Sequence, residues 1–552
     1  MVTRKLALAA AVSALAPLAA HAQNVPAPVE QQQLQELDGW SVGALSRADG
    51  AMAPDLWARS DPAFLARVFE RLPANYESPA AQALARRVLL SGGDAPRGAT
   101  LEHVRGRFEA LGKMGAADEL SVMAAGSGSA LRDPGVAMFA AQAELERGRR
   151  PEACARGRNA NAGETPAPFL LRLRAYCSAV TGDRAAADLA LELARAQNAA
   201  DNWYSAAVAA AAGAPGTRPP AAVYDNSLAA QLSLAAQLRP GPNPLNNAST
   251  LALVALARAE AAPQPQRAQA AALAYRRGAI SAQEARTILA ATPAEITSAL
   301  PPIVTAMRAL ETARNAPPQP PLEGEAGAAP QASPAQLAAA AAIAEVLRQA
   351  STPSDFSAAA RFFQRDIAAL QSAPDPAAAL LFARAAIAAG DVQTGQRLTA
   401  SARAAGVEEA ALAPLDAALV AVSGPRGEQG TIAMQRRIDR GASQPRAAAR
   451  DVAILAALGA PVDGTVQSFM LTNAPQGGAR AETGAMLALA AAVERGAIGE
   501  GALLVVAAAG EAGPARLDAE SLERIIRALR GLRLEEDARR IAAEAILAGA
   551  PG

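Results

Sequence analysis

The stretch SAVTGDRAAADLALELARAQ, residues 178–197, passes from the end of one apolar run to a new, polar-started one through a single glycine, Gly182. Beyond Asp183, the residues Ala186, Leu189, Ala190 and Leu193 recur at intervals of three and four, the spacing of one helix face. Alanine is the best helix former, with leucine, arginine and glutamate close behind, so composition and period agree on a helix. Glycine suits the left-handed residue that ends a helix, and Asp183 can cap the next one.

The same punctuation recurs in FEALGKMGAADEL, ELERGRRPEAC, AIAAGDVQTG, where Asp391 is the cap, and RALRGLRLEEDARR. Gly115, Gly148 and Gly182 lie 33 and 34 residues apart, and Gly390, Gly424, Gly459, Gly496 and Gly531 lie 34, 35, 37 and 35 apart. Alternating strand patterns are scarce. The chain therefore reads as all-α, an α-solenoid of stacked antiparallel helical hairpins. A period of about 34 residues is that of the tetratricopeptide repeat. A small residue five positions after the turn glycine, Ala153 or Ala187, fits the close approach of paired helices, whereas Leu120 departs from it. In layout the chain resembles the tetratricopeptide superfamily, although the tryptophan, leucine–glycine and tyrosine positions of that repeat are not systematically filled.

Three segments interrupt the repeat. Residues 23–95, with Trp40 and Trp57, read as an irregular helical cap, followed by a hairpin array over 96–314. Within that array, AGAPGTRPP (212–220) and LRPGPNPLNNAST (238–250) read as long loops. Residues 315–334 form a proline- and glycine-rich linker that should be exposed. It ends at Ser333, Pro334 and Gln336, a helix start with N-cap, N1 proline and N3 glutamine. The main boundary is expected there, with a second array over 335–552. The phrase RRGAI at 276–280 returns as ERGAI at 494–498, a hint of duplicated hairpins.

The N-terminus carries Arg4 and Lys5, an apolar run from Leu6 to Ala19, and an A-x-A site at Ala20 and Ala22 before Gln23. This pattern predicts a secretory signal peptide over 1–22, cleaved between Ala22 and Gln23. No cysteine stands at the cleavage point, so a lipid anchor there is not expected, and no later run is long and apolar enough to span a membrane. The expected address is the bacterial periplasm, with secretion as the alternative. Acidic and basic residues balance at 52 each, which gives no basic field for nucleic acid.

In an oxidising compartment the two cysteines, Cys154 and Cys177, invite a disulfide. Cys154 sits early in the helix after Gly148, and Cys177 near the end of the next helix, with NANAGETPAP between them and Thr165 placed to cap the second. A pair of buried free thiols is the alternative. There is no C-x-x-C for dithiol chemistry, and the one mature histidine leaves zinc short of ligands.

That histidine, His103, lies among Glu102, Arg105 and Arg107, and reads as a solvated surface residue rather than a base. GPRGEQGT (424–431) lacks the lysine of a phosphate-binding loop and reads as a loop. Glu77-Ser78 and Glu520-Ser521 supply the glutamate–serine pair of soluble lytic transglycosylases, which also carry alanine-rich helical superhelices. Neither is followed by that family's downstream Gly-Leu-Met-Gln segment, so the resemblance covers the superhelix style alone. Trp203-Tyr204 is the one adjacent aromatic pair and reads as packing. No catalytic, cofactor-binding or metal-binding residues are expected. The expectation is a non-enzymatic envelope scaffold for protein or peptide partners, binding through inner-helix arginines such as Arg397 and Arg436. The alternative is a regulatory or substrate-gripping subunit for a peptidoglycan-modifying enzyme.

Overall fold

The computed structural model describes residues 38–159, 167–214, 218–293, 301–316, 332–370, 372–425, 427–475 and 477–549. The expected cleavage site, Ala22 and Gln23, lies outside them, as does Thr165. The described chain is all-α, with consecutive helices packed as antiparallel pairs. Its β pairing is limited to two isolated bridges, Ala222 with Pro240 and Ala479 with Leu517.

The turns explain the pairs. At Gly182, φ is +78°, and the Asp183 N–H returns to the Ser178 carbonyl at 3.0 Å, so the orphan carbonyls at the helix end are satisfied before the chain reverses. Asp183 then accepts the Ala186 N–H at 3.0 Å and starts the helix Arg184–Ala196. Every other period glycine has positive φ except Gly531, which lies inside the helix Ala519–Gly531; Arg533 takes the left-handed turn instead, at φ +62°. Close approach follows: Ala153 and Ala187 are fully buried, and at Gly501, again five after a turn glycine, a Cβ would lie 2.6 Å from Leu532 Cδ1.

The apolar period does not by itself mark the buried face of a helix. In Arg184–Ala196 the buried residues are Ala187, Leu191 and Ala194, while Leu189 and Leu193 are 65% and 51% exposed. This helix has one main neighbour, Pro168–Val180, and a single contact line needs only a narrow row of small residues. Two polar segments also differ from expectation. The helix Gly427–Arg440 begins within GPRGEQGT, and the helix Pro168–Val180 starts at N-cap Ala167 with proline at N1.

Two features separate the molecule from an open solenoid. The helices flanking the linker, Pro302–Asn315 and Pro334–Arg348, pack against one another, so the linker connects two halves of a helix pair. The expected capping box at Ser333 and Gln336 is present. In addition, the described residues form one compact unit, and its two ends meet. The N-terminal helices Pro62–Glu70 and Pro79–Leu90 pack on Ile498–Ala509, and Pro79–Leu90 also reaches Glu535–Ala548. That last helix lies against Glu409–Ser423 along much of its length and touches Pro376–Ala388 and Pro445–Ala457. Part of the inner surface that stacked hairpins would otherwise offer is thus covered by the chain's own C-terminal helix.

The N-terminal cap is held by a buried arginine. Arg107 is fully buried, and its guanidinium donates to the carbonyls of Leu89 (2.8 Å), Gly39 (2.6 Å), Trp40 (3.1 Å) and Ser91 (2.8 Å). It lies 5.6 Å from the Trp57 ring centroid, and Trp57 packs edge-on against Trp40. Burial pushes its pKa down to about 9, with the Asp38 charge opposing the fall.

Candidate functional site

The C-terminal array presents a charged cleft of about 460 Å³ between its hairpins. Its walls come from the helices Val392–Ala404, Glu409–Ser423 and Gly427–Arg440. Alanine and leucine occupy their packed faces, which leaves arginine and acid side chains at the seam. Arg403 Nε meets Glu409 at 2.5 Å and its Nη2 meets Asp416 at 2.9 Å. Arg440 Nη1 bridges the same acids, at 3.1 Å to Glu409 and 2.6 Å to Asp416. Two arginines and two carboxylates therefore alternate in a ring.

The hydrogen bond from Arg403 holds the Glu409 carboxyl below its usual range, so it stays ionised and has no proton to donate. Beneath the ring, Arg437 pairs with Asp451 at 2.8 Å, both side chains only 5% exposed. Desolvation pushes Asp451 up to about 6, with Arg437 opposing it. Arg436 lines the cleft, is exposed, and makes no ion pair among the described residues. The arrangement can grip a charged partner: the ring holds the hairpins in register and Arg436 offers a free cation at the mouth. Arg397, in contrast, donates to the carbonyls of Ala368 (2.7 Å) and Leu370 (3.4 Å), and so closes a neighbouring helix end.

The other singled-out residues have structural partners. Cys154 and Cys177 form a disulfide with their Cα atoms 5.9 Å apart, tying Arg150–Asn159 to Pro168–Val180. His103 is half-buried at the third position of its helix, and its Nδ1 accepts the Thr100 N–H at 3.0 Å. Its neighbour Arg105 pairs with Asp133 at 2.6 Å. Half-buried Trp203 donates from Nε1 to the Ala221 carbonyl at 2.7 Å, and Tyr204 is buried with its hydroxyl on the Arg172 carbonyl of Pro168–Val180. Ser78 caps Pro79–Leu90, and Ser521 Oγ accepts the Ala481 N–H at 3.1 Å while Glu520 pairs with Arg524. Among the described residues no group of three or more histidine, cysteine or acidic side chains could hold a metal, and no helix is long and apolar enough to cross a membrane.

Sequence reasoning missed the arginine–carboxylate ring as well as buried Arg107 and buried Arg450, which donates to the carbonyls of Ala545 (2.9 Å) and Ala515 (2.7 Å). Arginine carries nearly all the positive charge of this chain, so nothing marks the few that turn inward. Comparison with protein-family models, with curated proteins and with solved structures finds no match.

Proposed function

We propose that this protein is an exported, non-enzymatic scaffold of the bacterial envelope that binds protein or peptide partners through its C-terminal hairpins. The cleft around Arg436 carries this reading. It combines a rigid ring of paired charges with one unpaired cation, which suits salt-sensitive recognition of an acidic surface. The N-terminal pattern ending at Ala22 and Gln23 and the disulfide fit an exported address in the periplasm. The turn glycines and the small residues five positions beyond them support a tetratricopeptide-like origin for the hairpins.

Crosslinking in intact cells tests the reading. The wild-type chain should trap a partner that Arg436→Glu captures at least about ten-fold less well, since reversal replaces attraction by like-charge repulsion. Recovery of no partner, or equal capture by the variant, defeats it. Intact mass of the exported chain should correspond to a start at Gln23.

A further inference from the structure

A second cleft, with no lining residue in common with that of Arg403 and Arg440, lies where the two ends of the chain meet. The helices Pro353–Phe362 and Pro376–Ala388 form one wall, Glu535–Ala548 the other, and the start of Pro79–Leu90 closes one end. It encloses about 460 Å³. Beyond Arg384 it continues into a hollow of about 330 Å³ that shares Pro353, Phe356, Arg384 and Ala548 with it.

Arg384 stands at the junction. Its guanidinium carbon lies 4.5 Å from the Phe356 ring centroid, and its Nε is buried with no hydrogen-bond partner. Among the described residues no carboxylate oxygen comes within 4.0 Å of Arg384, Arg361 or Arg539, all of which line the cleft. The acids present are already engaged. Glu536 pairs with Arg540, and Glu544 accepts the Ala80 N–H at 2.7 Å. A largely desolvated guanidinium with an unmet donor is costly unless something supplies the acceptor. Meanwhile Phe356, Ile387, Val422 and Leu547 give the cleft an apolar lining.

We propose that this groove binds an acidic peptide segment, a side-chain carboxylate meeting the Arg384 guanidinium and flanking apolar side chains resting on Phe356, Ile387 and Leu547. The proposal rests on the reading of the protein as a partner-binding scaffold and names the chemistry of one partner. Guanidinium and carboxylate match as a planar, two-point pair. The hollows on either side of Arg384 accept the residues before and after the acid. A bare phosphate would answer the charge and leave the apolar lining uncovered.

Fluorescence anisotropy on the full chain tests this with an end-blocked, dye-labelled peptide of alternating leucine and glutamate, beside its leucine–glutamine counterpart. The acidic peptide should bind and the glutamine peptide should bind about ten-fold more weakly or not at all. Arg384→Gln should weaken the acidic peptide about ten-fold. Arg361→Glu, at an exposed position, should weaken it in the same direction. Equal binding of the two peptides, no binding of the acidic one, indifference to both variants, or displacement by millimolar inorganic phosphate overturns the proposal. In-cell crosslinking separates the two readings. A partner still captured by Arg384→Gln but not by Arg436→Glu sinks the groove and leaves the scaffold standing, whereas no partner for wild type sinks the scaffold.

Discussion

Arg87, on the helix Pro79–Leu90, forms an ion pair with Asp537, on the last helix of the described chain, 450 residues later. The Asp537 side chain is 3% exposed and the Arg87 side chain 21%. This contact joins the two ends of the molecule, and it is reinforced nearby: Glu500, fully buried, accepts the Asp61 N–H at 3.2 Å and pairs with Arg495. Closure converts a row of hairpins into a body in which the first and last helices share one interior.

Breaking that pair from one side should be costly, because the remaining charge stays buried without its partner. Arg87→Met is expected to destabilise the fold by about 3 kcal/mol in urea denaturation. The double variant Arg87→Met with Asp537→Leu should recover much of the loss, since a buried pair is often replaceable by apolar residues. A double variant no better than the single one would mean that Arg87 acts through packing and not through its charge.

Closure should also respond to pH. Burial pushes the Glu544 carboxyl up to about 7, with the Ser78 hydroxyl, the Ala80 N–H and the Arg361 charge opposing the rise, and pushes Asp451 up to about 6. Both values exceed those of the unfolded chain, so between about 4.5 and 7 the folded state binds protons that the unfolded state has released. Stability therefore falls as pH rises through that window and levels off above it. The melting temperature should be higher at pH 5.5 than at pH 8. Glu544→Gln, which keeps an acceptor for Ala80, should flatten the slope. A melting temperature that rises with pH would refute the assignment.

Closing the Cys154–Cys177 loop limits the unfolded chain, and a loop of this size should contribute about 3 kcal/mol on the chain-entropy model. Cys177→Ser should lower the melting temperature and leave the far-ultraviolet helix signal nearly unchanged. Non-reducing peptide mapping should recover the linked peptides from oxidised protein.

Arg107 is the sharpest test of the N-terminal cap. Its replacement by methionine would strand the buried carbonyls of Gly39, Leu89 and Ser91, at a cost of at least about 3 kcal/mol, whereas Trp40 keeps the Gly93 N–H at 3.0 Å. The chain around Trp40 and Trp57 should loosen first, so tryptophan emission should shift to the red before global unfolding. Coincident loss of tryptophan and helix signals would show that the cap is not a separate weak point.

How much of this was legible beforehand depends on whether a feature is local. The turn at Gly182, the cap at Asp183, the capping box at Ser333 and the Cys154–Cys177 pairing all rest on residues close in sequence, and each could be read from spacing. The inward face of Arg184–Ala196 could not, because Leu189 and Leu193 form as good a periodic stripe as the buried Ala187, Leu191 and Ala194. The choice between them is made by a neighbouring helix whose contact line needs small residues. Closure is further from view still. Arg87 and Asp537 carry no mark in the sequence that distinguishes them from solvated arginines and acids, and the candidate sites at Arg436 and Arg384 exist only once distant helices have packed.

The functional reading separates Arg436 from His103 by their surroundings. His103 is held within its own helix start by Thr100, whereas Arg436 is an exposed cation beside a ring of already satisfied charges. His103→Ala should leave partner capture unchanged and cost a small amount of stability, about 1 kcal/mol for a lost capping contact. Arg436→Glu should leave the melting temperature nearly unchanged, because the side chain makes no ion pair among the described residues, yet it should reduce capture about ten-fold at 0.15 M salt. Raising salt to 1 M shortens the screening length from about 8 Å to about 3 Å, so capture by the wild-type chain should approach that of the variant. Turnover of a small substrate that vanishes in His103→Ala would instead identify an enzyme.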